Sequence, residues 1–110
     1  MPEKNCGEAV RLAVSARVGR KDATVVEIDR CGARVRHSGA LQLGGELRLS
    51  FRAGGEVFSA PCQILSCRVI GLGLGDGGST LFESRLAFGE ESAGDAVERV
   101  VGAVGARMNA

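Results

Sequence analysis

From Val10 the chain alternates: Val10, Leu12, Val14, Ala16 and Val18 fall on one side of a period-two pattern, with Arg11, Ser15 and Arg17 opposite. This predicts a half-buried strand. Gly19-Arg20-Lys21-Asp22 reads as a turn, and the β-branched run Thr24 to Ile28 as the returning, antiparallel strand of a hairpin. Alternation resumes at Ala33-Arg34-Val35-Arg36 and breaks at His37-Ser38-Gly39, which predicts a short strand followed by a polar loop through Gly44-Gly45. Leu47, Leu49 and Phe51 alternate with Arg48, Ser50 and Arg52. After Ala53-Gly54-Gly55-Glu56 a long run from Val57 to Ile70 completes a second hairpin, its later arm expected to bend or bulge near Pro61. Gly71 to Gly78 predicts a loop, and Leu81 to Phe88 a last strand with Phe82, Leu86 and Phe88 on one face.

Beyond Ser92 the period changes. Ser92 and Asp95 are spaced like a capping box, and Ala93, Ala96, Val97, Val100, Val101 and Val104 repeat at three and four. The expectation is an all-β domain with one helix: a six-stranded antiparallel barrel over residues 10–88, an N-terminal segment 1–9, and a C-terminal helix over 92–107. Gly102 and Gly105 each weaken that helix by about 1 kcal/mol relative to Ala, so its Val/Ala stripe is expected to need the barrel behind it.

Composition sharpens this picture. The 110 residues suit one domain; 45% hydrophobic and 25% charged residues argue against disorder, and no run is long enough for a membrane-spanning helix. Fourteen Lys+Arg against thirteen Asp+Glu leave a net charge of +1, too balanced for general nucleic-acid binding. Seventeen glycines imply many tight turns, and only four Phe, with no Trp or Tyr, imply an aliphatic core. With no secretory leader at the start, the expected location is the cytoplasm, where Cys6, Cys31, Cys62 and Cys67 would remain thiols.

The residues bear on three chemistries. His37, the single histidine, lies in an expected turn without a nucleophile elbow or an orienting carboxylate, and reads as a solvated loop residue. The cysteines lack a C-x-x-C pair, and the five-residue step from Cys62 to Cys67 puts them on opposite faces of a regular strand, so no metal site is expected. Gly73-Leu74-Gly75-Asp76-Gly77-Gly78 satisfies G-x-G-x-x-G but leads into a strand, without the helix N-terminus that would hold a pyrophosphate.

The stretch Val26-Glu27-Ile28-Asp29-Arg30-Cys31-Gly32-Ala33-Arg34-Val35 resembles the signature of the PilZ domain: Asn or Asp, any residue, Ser, two residues, Gly, commonly continued as Gly-Ala-Arg-Val. Glu27, Asp29 and Gly32 occupy the three signature places. The likeness extends over nearly the whole chain, through a first strand like Val10 to Val18, a hairpin after the motif, Arg68-Val69-Ile70 and Arg85-Leu86-Ala87-Phe88 in later strands, and a terminal helix. The resemblance implies a six-stranded barrel and, for many members, reception of cyclic di-GMP.

The family's paired arginines, separated by three residues, precede the first strand; setting Val10 to Val18 against that strand puts Asn5 and Ala9 in their places. Neither offers a guanidinium for phosphate, and Asp29 replaces a hydroxyl with a charge that opposes a dianionic ligand. The expectation is a non-enzymatic, PilZ-like regulatory module of bacterial signalling. It would act through an unidentified protein partner, with cyclic di-GMP binding lost or weakened at Glu27, Asp29 and Gly32. One alternative is a genuine receptor that recruits Arg30, Arg34 and Arg36, with Arg17 and Arg20 nearby; the other is a redox- or small-ligand-responsive barrel using Cys31.

Overall fold

The computed structural model describes residues 6–74, 76–89 and 92–108, with the side chains of 76, 92 and 104–108 excepted. Six strands follow one another: β1 (Val10–Val18), β2 (Lys21–Ile28), β3 (Gly32–Ser38), β4 (Glu46–Ala53), β5 (Glu56–Gly71) and β6 (Leu81–Phe88). A helix, α1 (Ser92–Met108), ends the chain. All neighbours are antiparallel in the order β1-β2-β3-β6-β5-β4, and β4 returns to β1 through Ala16↔Phe51, Arg17↔Ser50 and Val18↔Leu49. The pairing therefore closes, and each strand has two neighbours.

Alternation is what makes this closure productive. The inward positions Val18, Val25, Val35, Leu49, Phe58, Ile64 and Leu86 are all fully buried, while the intervening arginines and serines face out. Phe58 sits between Phe51 and Phe88, at ring-centroid distances of 5.0 and 5.2 Å, and contributes the aromatic part of an otherwise aliphatic core. The β4–β5 turn is the two-residue loop Gly54-Gly55. Both residues have positive φ (59° and 83°), the backbone of a type I′ turn that glycine adopts without steric penalty. α1 lays Ala93, Val97 and Val100 against β5 and β4, each 3% exposed or less. Burying each of the two valines stabilises the dock by about 1.5–3 kcal/mol, which offsets the helix-weakening glycines. Val101 is half-buried, and the side chain of Val104 lies outside the described residues. Among the described residues no helix is long and apolar enough to cross a membrane.

Several expectations are corrected. β2 begins at Lys21, so the first turn is only Gly19-Arg20. β3 runs through His37 to Ser38: Ala23↔His37 and His37↔Phe82 keep the ladder intact, and His37 is buried rather than solvated. The irregularities of β5 fall between Ile64 and Ser66 and between Val69 and Gly71, well past Pro61, which pairs regularly with Arg48. The first of them inserts one residue, so Cys62 (opposite Phe88) and Cys67 (opposite Ser84) share the inward side that a regular strand would have denied one of them.

Candidate functional site

The signature-like segment forms the hairpin between β2 and β3. In β2 the register shifts between Val25 and Glu27, so Val26 is an extra residue. That bulge returns Ile28 to the interior and sets Glu27 outward, directly opposite Arg34. Glu27 Oε2 accepts a hydrogen bond from an Arg34 guanidinium nitrogen at 2.7 Å. Asp29 then closes the turn. Its Oδ1 accepts from the backbone N–H of Cys31 (2.7 Å) and of Gly32 (2.9 Å), while its own N–H donates to the Gly32 carbonyl at 2.9 Å. This is the local carboxylate-to-backbone bonding that makes aspartate a turn residue. Gly32 has a different reason to be glycine: a Cβ there would lie 2.0 Å from the Leu86 carbonyl oxygen, so only a bare backbone lets β3 meet β6 at this point.

Arg30 points away from this turn. Its guanidinium bonds Glu98 and lies 3.6 Å from Asp95, both on α1, and so ties the hairpin to the helix. Its backbone N–H donates to the Cys6 carbonyl at 3.1 Å. Cys6 and Cys31 are joined in a disulfide across a sequence separation of 25, which corrects the expectation of four thiols; Cys62 and Cys67 are free. Cys6, Asp29 and Cys31 place their potential ligand atoms within 4.8 Å of one another, but the bonded sulfurs present no thiolate to a metal. A cleft of ≈ 210 Å³ lies over the hairpin, lined by Cys6, Glu27, Asp29, Gly32, Arg34 and Arg85 among others. That is smaller than the few hundred Å³ and more that enclose most small ligands. Of the family's arginine places, Ala9 is exposed and Asn5 lies outside the described residues.

The outward face beside this cleft is organised by cross-strand pairing. One row runs Glu27, Arg34, Arg85, Ser66 across β2, β3, β6 and β5; the next runs Thr24, Arg36, Glu83, Arg68. Glu83 is the centre of the second row. It is nearly buried, and it receives Arg68 at 3.1 Å, Arg36 at 3.3 Å and Arg34 at 3.8 Å. Burial alone pushes the Glu83 carboxyl up, but the hydrogen bonds from Arg68 and Arg36 and the charge of Arg34 outweigh it and hold the group below the ordinary carboxylate range. Arg34 and Arg36, expected as auxiliary cations, are thus brought together on one face, while Arg30 is separated from them. Glu83, Arg68 and Arg85 escaped sequence reasoning as site residues, because the β3–β6 register sets Arg85 and Glu83 against Arg34 and Arg36, and the shift at Leu65 brings Arg68 of β5 opposite Glu83.

His37 and Ser84 make the other polar arrangement. His37 Nδ1 lies 2.8 Å from the Gly39 carbonyl and must donate to it, leaving Nε2 to accept from the Ser84 hydroxyl at 2.7 Å. The geometry is that of a base poised on a hydroxyl, but Ser84 is wholly buried and meets no substrate from solvent. The pair satisfies two polar groups inside the sheet. No protein-family model, no curated protein and no solved structure matches this chain.

Proposed function

We propose that the chain is a non-enzymatic regulatory module with a PilZ-like barrel, acting in the bacterial cytoplasm through contacts with a protein partner and without a working cyclic di-GMP grip. One observation carries the reading: the charges of the signature-like hairpin are used within the chain. Glu27 holds Arg34, Asp29 holds two backbone amides, and Arg30 holds the acids of α1. A dianionic nucleotide entering here would meet two carboxylates and no uncommitted guanidinium from the hairpin itself. Calorimetry with cyclic di-GMP at moderate salt should show no low-micromolar binding. Each charge-assisted hydrogen bond lost removes about 1.5–3 kcal/mol, so two absent arginines weaken affinity by about two orders of magnitude or more. Asn5→Arg, Ala9→Arg and Asp29→Ser combined should recover it, since a serine hydroxyl can still accept from the turn amides. Tight, saturable binding by the unaltered protein overturns the reading.

The disulfide favours a second reading, a redox-responsive barrel. In a cytoplasmic protein of ordinary habitat such a bond is usually transient and sensing rather than structural. This one fastens the segment before β1 to the signature-like hairpin through Cys31. Differential alkylation should find Cys6 and Cys31 protected together and released together by a dithiol reductant, with a change in partner binding. A bond that never forms in cells removes this reading.

A further inference from the structure

We infer that the outer face of β3, β6 and β5 carries an oxyanion site for a phosphate group, held by Arg34, Arg68 and Arg85 with the Ser66 hydroxyl. The inference goes beyond the regulatory reading and uses none of the three signature places. Four arginines on this face, Arg34, Arg36, Arg68 and Arg85, share two carboxylates, Glu27 and Glu83, leaving two positive charges in excess. Each row carries one of them, and in the first it falls on two arginines set face to face. Arg85 lies directly opposite Arg34 in the β3–β6 ladder and has no ion-pair or side-chain hydrogen-bond partner among the described residues. Like charges directly opposite on neighbouring strands repel, and an anion between them turns that repulsion into chelation.

Two further observations point to the same spot. Arg34 Nε is buried with no hydrogen-bond partner, at 3.8 Å from Glu83 and so beyond bonding distance, which leaves this guanidinium incompletely satisfied by the chain's own groups. Next to it lies a hollow of ≈ 300 Å³ bordered by Arg34, Ser66, Arg68, Glu83, Ser84 and Arg85. Arginines from three adjacent strands border it, and planar guanidinium donor pairs match the edges of a tetrahedral oxyanion better than any single ammonium would. Glu83 holds Arg68 in place, so this donor is positioned before a ligand arrives.

The phosphate could be free or carried as a monoester, and the test separates these sources. Inorganic phosphate and O-phosphoserine are titrated into the full chain at low ionic strength, followed by arginine Nε–Hε resonances and by calorimetry. Saturable binding that shifts Arg34 and Arg85 is expected. Arg85→Gln, a change on an exposed side chain outside the hydrogen-bond network, should weaken it by about tenfold or more, whereas Arg20→Gln should leave it unchanged. Stronger binding of phosphoserine than of inorganic phosphate assigns a monoester; the reverse assigns the free ion. Absence of saturable binding by either, or binding that Arg85→Gln does not weaken, overturns the site and leaves the regulatory reading intact. Cyclic di-GMP binding that is competed by phosphate and lost in Arg85→Gln would sustain the site and overturn the regulatory reading.

Discussion

The two ends of β3 are fixed in opposite ways. At its start Gly32 is held by backbone: Asp29 gathers the turn amides, the Phe88 N–H donates to the Cys31 carbonyl at 2.8 Å, and β6 comes so close that no side chain fits. At its end His37 is held by side chain, between the Gly39 carbonyl and the buried Ser84 hydroxyl, with its ring stacked beside Phe82 at 6.1 Å. The first end tolerates no added atom, while the second tolerates no lost hydrogen bond. Steric exclusion is absolute over tenths of an ångström, whereas a buried polar pair is worth only a few kcal/mol at most, so the two ends should fail on different scales.

The largest effect is expected at the first end. Gly32→Ala drives a Cβ into the Leu86 carbonyl and should cost about 3 kcal/mol or more in urea denaturation, with hydrogen exchange accelerating along the β3–β6 ladder from that end first. A loss below about 1 kcal/mol would mean that β6 moves aside freely, and that the glycine serves the turn and not the approach.

Next in size is the bond that anchors the same end. Opening Cys6–Cys31, by reductant or by Cys6→Ser, removes a cross-link spanning 25 positions and should cost up to about 3.5 kcal/mol in chain-entropy terms. Denaturation with and without reductant checks this, and Cys6→Ser should be insensitive to reductant. If the wild-type midpoint also ignores the reductant, the hairpin is anchored by Asp29 and Gly32 alone.

The contrast also explains how much of the molecule was legible. The outward-inward rhythm of β1, β4 and β6 is written in single residues, since each Val or Leu declares its own side, and the turn at Asp29 to Gly32 is written in residue types that few other conformations use. His37 reads as a loop residue because nothing local reports that Ser84, 47 positions away, meets its ring; on its own, His-Ser-Gly is turn-like. The shift at Leu65 was equally invisible, as one extra residue in a continuous apolar run leaves no compositional trace. The candidate site divides the same way. Glu27, Asp29 and Gly32 were found by motif, whereas Arg68, Glu83 and Arg85 join Arg34 and Arg36 only once the ladder register is known.

At the second end Ser84→Ala removes the donor to His37 Nε2 and leaves a buried acceptor unpaired, at about 1–2 kcal/mol by chemical denaturation. Gly32 should not register the change: exchange near β6 residues Leu86 to Phe88 should stay as in the parent. If the loss spreads to both ends, β3 melts as one unit and the comparison dissolves.

The smallest effect is a pH dependence confined to the second end. Burial pushes the His37 pKa below its ordinary 6.5; the Gly39 carbonyl pulls the other way, the nearby Lys21 charge lowers it further, and Ser38 adds a weaker upward pull. Well above pH 6.5 the ring is neutral in both folded and unfolded chains, and its contribution to stability is flat. Below 6.5 the unfolded chain takes the proton while the folded chain resists, so stability falls as the pH drops toward the depressed folded pKa. His37 is the single histidine, and Glu83, also depressed, loses its contribution in the same direction but at lower pH, as the pH falls from the ordinary carboxylate range through its own folded pKa. The interval just below pH 6.5 therefore reports His37 with little side-chain overlap. Thermal melts at constant ionic strength should slope downward there for the parent, and His37→Gln, which keeps an amide donor and acceptor but does not titrate, should flatten the slope. Equal slopes in the two proteins would show that the imidazole is protonated at little cost, and that this end of β3 is held by packing against Phe82 and not by the hydrogen bonds of a neutral ring.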